Sequence, residues 1–475
     1  MADTKFIWTD GTSDEISVTA INRDFSVKYG RQKNDLKEVI IGNRVKSIEE
    51  DAFRMCKNLE KVEMSDSVQS IMPFAFAWCD RLEEMRFPEG IDTVGISVMS
   101  FCPSLKKVSI PDSVTMIDEE AFSYCTGLTN VKMPESLESI YVSAFMNCKN
   151  LREVIIPAAT VTIATNAFLN CESLEKVTFE EGSQLKEIVS GAFANCPKLK
   201  TENFEKLTKL KSIGDRAFEG CASIDHLEFP EGVTKLAKKA FSGCSSLAGN
   251  IRIPVSIKSI SDEVFMNCTS ITSVEFAPKN EYEIKNGLFS GCTGLEKVSG
   301  LINAKSIGDR AFLGCSGLKE IKLGKSLKSI GDWAFKGCLS LELTVPSSVS
   351  SIGTDAFAYT ADCKYDGSAE INQDTHMYFK TAFDKGSKKP EELRYAAADV
   401  LGYLQSLRRS NDIPEDISIE YEEVLLKYIG GDDNEYALLT KLFEFDEKYG
   451  TDALPLSDPL EVLHDRLYIF EKELA

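Results

Sequence analysis

Cysteine returns in this chain at positions 56, 79, 102, 125, 148 and 171, a step of 23 residues, and then at 196, 221, 244, 268, 292, 315 and 338, steps of 23 to 25. A period of that length, held for that long, dictates a solenoid, in which each unit buries its apolar face against its neighbours rather than around one centre. Every one of these cysteines sits in the same pattern of residues. Around Cys125, Val114 and Ile117 precede Ala121-Phe122-Ser123-Tyr124-Cys125, and Leu128, Val131 and Met133-Pro134 follow. The repeat is V-x-x-I-x-x-x-A-F-x-x-C-x-x-L-x-x-V-x-φ-P, with φ apolar.

Val131 and Met133 alternate with Asn130 and Lys132, the period of two that buries one side of a strand and solvates the other. Stacked coils make these strands a parallel sheet and V-x-x-I a second extended stretch. The A-F-x-x-C segment is expected to form a short helical turn between them. Phe fills the centre as a ladder from Phe53 to Phe357, replaced once by Met99. About 13 to 14 coils at ~4.8 Å each give an array on the order of 60 Å long.

The pattern resembles the BspA-like leucine-rich repeats, whose hallmark is A-F-x-x-C followed by L-x-x-I-x-L-P. The resemblance runs from about residue 36 to 360. It implies an α/β solenoid with a parallel sheet and short helical turns. It also implies a binding surface rather than an enzyme, because members of that family are mostly binding surfaces. The relatives include cell-surface adhesins that bind host proteins.

Outside the array the chain changes character. Residues 1–35 carry Lys5-Phe6-Ile7-Trp8 and Glu15-Ile16-Ser17-Val18 around Asp10-Gly11, which reads as a small β cap over an otherwise open solenoid end. The array occupies 36–362 and fades near Phe357, where Thr360 stands in for the cysteine and Cys363 is out of register. Residues 370–475 turn to helical spacing, as in Leu393, Ala397, Val400, Leu401, Leu404 and Leu407, and read as an acidic all-α module. Further helices are expected over 375–383, 417–429, 434–449 and 459–474.

Net charge is −20, from 74 acidic and 54 basic residues. From residue 361 onward there are 26 acidic and 13 basic residues, so the acidity is concentrated at the C-terminal end. Phosphate binding relies on clustered Lys and Arg, which argues against a nucleic acid partner; the acidity favours a protein partner that is itself basic. No run approaches the ~20 apolar residues of a membrane-spanning helix. Met1-Ala2-Asp3-Thr4-Lys5 has none of the features of a secretory signal, which gives a cytoplasmic expectation, with secretion or surface display the alternative if a signal has been removed.

The search for chemistry finds little. No phosphate loop, nucleophile elbow, H-E-x-x-H or paired Cys and His occurs, and the chain's histidines are His226, His376 and His464. Catalytic, metal and cofactor residues are therefore expected to be absent. An enzyme survives only as a motif-free site in the C-terminal module. The cysteine row reads as reduced thiols packed as small hydrophobes, which fits a reducing compartment; disulfides between coils and a metal site are the other readings.

Recognition is the better question. Between the two apolar strand positions the chain reads Glu63, Arg86, Ser109, Lys132, Ile155, Thr178 and Asn203, a row of mixed sign without aromatics. The position before the cysteine is more selective. It holds only Asn or Gly from Asn147 to Gly337, the residue types that tolerate a left-handed backbone, yet Met55, Trp78, Phe101 and Tyr124 in the first four repeats. Phe74, four residues before Trp78, extends this group. Three readings are open: Phe6 or Trp8 folds over the strip, a partner or second copy docks on it, or it is ordinary packing.

Overall fold

The computed structural model describes residues 3–365 except 279–280, 339, 355, 358–359 and 361. The acidic all-α module expected over 370–475 and its five helices lie outside the described residues.

The array is a parallel-sheet solenoid. On one side, strands such as Lys107–Ser109, Glu153–Ile156 and Lys176–Phe179 pair in parallel and in register, Val154 opposite Val177 and Ile156 opposite Phe179. On another, the V-x-x-I segment supplies two-residue strands that pair coil to coil from Thr93–Val94 to Ser259–Ile260. Alternation decides the burial: Val154 and Ile156 are buried while Glu153 and Ile155 face water.

The expected short helix is absent, and the backbone shows why. In Asp51 to Cys56 the N–H groups of Asp51, Phe53 and Met55 point along the solenoid axis. They donate to the carbonyls of Pro73, Ala75 and Ala77 in the next coil at 3.2, 2.7 and 2.8 Å. The N–H groups between them, of Ala52, Arg54 and Cys56, close tight turns onto Glu49, Asp51 and Phe53. An α-helix returns its N–H groups to its own chain four residues back; here alternate donors leave for the neighbouring coil, so the segment is a third ladder. Helix among the described residues is limited to four 3-10 turns, Val27–Tyr29, Lys33–Asp35, Phe204–Lys206 and Leu301–Asn303. The architecture is therefore β rather than α/β.

Turning alternate N–H groups outward requires left-handed backbone at two places per coil. Asp51 and Met55 have φ of 57° and 62°, Phe74 and Trp78 both 58°, Asn166 and Asn170 57° and 58°.

Inside, the Phe ladder stacks ring on ring. Phe145, Phe168 and Phe193 lie 5.2 Å apart with rings parallel within 2°, and the column reaches Phe357. It is interrupted where Met99 separates Phe76 from Phe122. At the N-terminal end Phe53 meets Phe25 at 5.0 Å, and Phe25 meets Phe6 at 4.9 Å. There β1 (Thr4–Trp8) lies antiparallel between β2 (Ser13–Ile16) and β4 (Leu36–Ile41), while β3 (Ala20–Ile21) joins the V-x-x-I ladder through Ser47–Ile48.

Irregular spacings in the sequence mark real breaks. The sheet from Glu84–Arg86 ends at Lys200–Glu202 and a new one begins at Gly249–Ile253. Glu202, not Asn203, pairs with Thr178; Asn203 turns left-handed at φ 61° to start the 3-10 turn that closes the sheet.

Removing one ring from the middle of the stack, as in Phe168→Ala, is expected to destabilise the protein by about 3–5 kcal/mol. In a nearest-neighbour assembly the loss is local. Amide exchange measured by mass spectrometry should rise first in the flanking coils; a uniform rise along the whole array would contradict this packing.

Candidate functional site

The row before the cysteine is left-handed in every coil described. Asn and Gly occupy it in later repeats because a β-carbon is strained there. Met55, Trp78, Phe101 and Tyr124 adopt the same conformation, with φ of 62°, 58°, 58° and 59°. Their rings stack along the axis: Trp78 on Phe101 at 4.8 Å and 3°, Phe101 on Tyr124 at 4.5 Å and 7°. Phe74 stands at the other left-handed position of its coil, not on a helix face. The Arg54 guanidinium joins it to the strip, 5.2 Å from the Phe74 ring and 4.7 Å from Trp78. Small buried residues, Ala77, Ser100 and Ser123, lie between the two left-handed rows.

Beyond Tyr124 the row changes chemistry. Asn170 donates its side-chain amide to Asn147 at 3.2 Å, and Asn195 to Asn170 at 3.0 Å. A β-carbon at Gly220, φ 72°, would then stand 2.9 Å from the Asn195 Oδ1. The apolar strip is thus bounded and confined to the first four coils of the row.

Phe6 and Trp8 do not cover it. Both are fully buried, their ring partners are Phe25, Tyr29 and each other, and Trp8 Nε1 donates to Asp14 at 2.7 Å. Met55 and Tyr124 keep 49% and 37% of their surface. Trp78, Phe101 and Phe74 are half-buried.

A feature that sequence reasoning missed adjoins the strip. Arg23, Ser26, Val27, Gly30, Arg31, Gln32, Lys33, Asn34 and Met55 line a hollow of about 490 Å³. The signal was present as four basic residues, Arg23, Lys28, Arg31 and Lys33, within the eleven positions 23–33 of an acidic chain. Another cavity, about 580 Å³, opens beside Tyr282, where the register of the V-x-x-I ladder shifts and Tyr282 rather than Glu281 lies opposite Ala304. His226 sits 3.5 Å from Glu228 on the surface. Among the described residues no group of three His, Cys, Asp or Glu could hold a metal, and no helix is long and apolar enough to cross a membrane.

The thiol row is more than filler. From Cys79 to Cys338 each S–H donates to the carbonyl of the ladder residue one coil earlier, as Cys79 to Phe53 at 3.3 Å and Cys125 to Met99 at 3.1 Å. The Phe53 carbonyl also accepts the Cys56 N–H, so the thiol satisfies its second lone pair. Burial pushes the Cys148 and Cys292 thiols up to about 12. They are not nucleophiles at neutral pH. Being sealed from solvent, they carry no information about the redox state of the compartment.

Unfolded thiols ionise near 9.0, folded Cys148 near 12. Below pH 9 both states keep the proton and stability is flat. Above it the unfolded chain releases a proton that the folded chain retains, so stability falls as pH rises, by about 1.4 kcal/mol per pH unit for each such thiol. Urea midpoints should be constant from neutral pH to about 9 and then drop steeply. Ellman's reagent should leave the row untouched until the protein unfolds.

No curated protein matches the chain. Solved structures do. A leucine-rich repeat protein from Bacteroides ovatus is similar at 25% identity and a TM-score of 0.56, over 82% of this chain and 98% of that one. One from Eubacterium ventriosum shares 22% identity over 78% and 97% of the two chains, TM-score 0.44. A Treponema pallidum leucine-rich repeat protein shares 26% over 40% of this chain and 78% of its own, TM-score 0.32. The family model of the BspA type leucine rich repeat region matches residues 29–140, 115–248, 186–316 and 248–364. With the repeat, the coil geometry and the family model in agreement over the described array, the chain belongs to the BspA type leucine-rich repeat proteins.

Proposed function

We propose that this chain is a non-catalytic protein-recognition scaffold, and that Met55, Phe74, Trp78, Phe101 and Tyr124 form its contact surface. The carrying observation is their backbone. A bulky residue in the left-handed region costs on the order of 1–3 kcal/mol, and five of them share this patch. Stacking contributes only about 0.5–1.5 kcal/mol per ring pair, and there are two such pairs in the strip. In the row before the cysteine Asn or Gly would relieve the strain, as it does from Asn147 onward, so folding alone does not account for Met55, Trp78, Phe101 and Tyr124. The row of Phe74 is less selective, with Arg216, Lys239 and Trp333 also left-handed. Binding does, since the few residues that carry most of the energy at protein interfaces are enriched in Trp and Tyr.

The rest of the chain fits that role. A solenoid is already ordered, so little conformational entropy is lost on binding. In this reading the N-terminal strands close the open end of the core, and residues 370–475 form a second docking element.

The test replaces the strip with what the fold uses elsewhere. Trp78→Asn, Phe101→Asn and Tyr124→Asn together should leave the thermal midpoint unchanged or higher, because Asn suits the left-handed backbone. Affinity capture from the native lysate, quantified by mass spectrometry, should lose its specific partners. Tyr141→Asn, which alters a residue 41% exposed elsewhere, should lose none. Partners retained by a folded triple variant would sink this reading.

A further inference from the structure

The hollow beside Met55 differs in charge from the chain around it. Its lining contains Arg23, Arg31 and Lys33 and no carboxylate, in a protein of net charge −20. The neighbouring acids offset only Arg31 by an ion pair and leave Arg23 and Lys33 without one among the described residues. Asp10 pairs with Arg31 at 2.7 Å, Asp51 with Arg54 at 3.1 Å, and Asp35 accepts the Gln32 N–H at 2.9 Å. Asp24 is not part of the lining.

Donors are left over. Arg23 is exposed and forms no ion pair among the described residues. The Arg31 guanidinium spends two of its five N–H groups on Asp10 and Thr12. Lys33 gives one of three to the Asp51 carbonyl at 2.5 Å. Between these cations stand two exposed apolar side chains, Val27 at 69% and Met55 at 49%.

Met55 belongs to both features. It lines the hollow and begins the strip, and its N–H reaches the coil of Trp78 through Ala77 at 2.8 Å. Cationic hollow and aromatic strip are therefore one continuous surface along the solenoid axis. From Met55 to Tyr124 is three coil steps, about 14 Å, which about four extended residues would cover.

We propose that this surface takes an acidic peptide segment of a partner protein, its carboxylates among Arg23, Arg31 and Lys33 and its apolar residues laid along Met55, Trp78, Phe101 and Tyr124. The proposal rests on the recognition role of the strip and adds the chemistry of what is recognised. It reverses the expectation drawn from net charge, because the partner meets a local field rather than the sum over the chain.

The test uses the full chain and two fluorescein-labelled octapeptides, Glu-Asp-Glu-Asp-Leu-Trp-Leu-Phe and its counterpart with four lysines in place of the acids. Fluorescence anisotropy should show the acidic peptide binding about tenfold more tightly than the basic one, with affinity falling as salt rises. Arg23→Glu, at an exposed position, should weaken the acidic peptide by about tenfold and strengthen the basic one. The Trp78, Phe101 and Tyr124 to Asn variant should lose both.

Equal binding of the two peptides, no binding of either, or an acidic peptide indifferent to Arg23→Glu would overturn the proposal. If the basic peptide binds better and the triple variant abolishes it, the strip remains a recognition surface and only the acidic partner falls.

Discussion

Every coil depends on a backbone segment that hydrogen-bonds in two directions. In A-F-x-x-C, alternate N–H groups close local turns while the others reach the next coil, so Phe145 donates to Ala167 at 2.8 Å and Cys148 to Phe145 at 3.2 Å. Strand spacing sets the coil rise at about 4.8 Å, close to the distance at which aromatic rings stack. Hydrogen bonding and core packing therefore share one period. The Phe column, spaced 5.2 Å through its middle, is the visible result. The thiol beside it is explained by the same segment, since the ladder carbonyl has a second lone pair that a small, weakly donating side chain can satisfy without bringing a charge into the core.

The same alternation makes some surface positions conformationally expensive. A row that must be left-handed in every coil is a row in which side chains are sorted by strain before they are sorted by contact. Amides solve it by hydrogen-bonding along the axis from Asn147 to Asn195, and glycines solve it by having no β-carbon, as at Gly220. Aromatics solve it only in part: stacking and the Arg54 guanidinium recover some of the strain, and a share of each ring stays in water. Under the proposed recognition role, that residue choice is a concession by the fold to binding.

The fold was largely legible because its period is written in residue types that cannot be exchanged freely. Phe and Cys recur where ring stacking and a buried thiol donor are required, and the alternation of Val131 and Met133 with polar neighbours announces the strand. The helical turn was misread for a physical reason. Ala-Phe-x-x-Cys has helical spacing, and nothing in one coil reveals that half its donors are directed at another. The aromatic strip was visible as a breach of the Asn or Gly rule at Met55, Trp78, Phe101 and Tyr124. The hollow was not, because Arg23, Arg31 and Lys33 come from separate turns that meet Met55 only after the N-terminal segment has folded onto the first coil.

Charge shows the same gap between sum and place. Along the array acids and bases answer each other across coils, Lys106 with Glu83 at 2.9 Å and Lys297 with Glu320 at 2.9 Å. Exposed pairs of this kind contribute little to stability, about 0–1 kcal/mol. Their effect is to quiet the faces they occupy, since opposite charges a few Å apart cancel within a Debye length of about 8 Å. Against a surface so neutralised, a cation without an ion pair among the described residues, such as Arg23, stands out. In a chain with an excess of acid, the hollow beside the strip is lined by Arg23, Arg31 and Lys33 and no carboxylate, so net charge does not describe the field at that place.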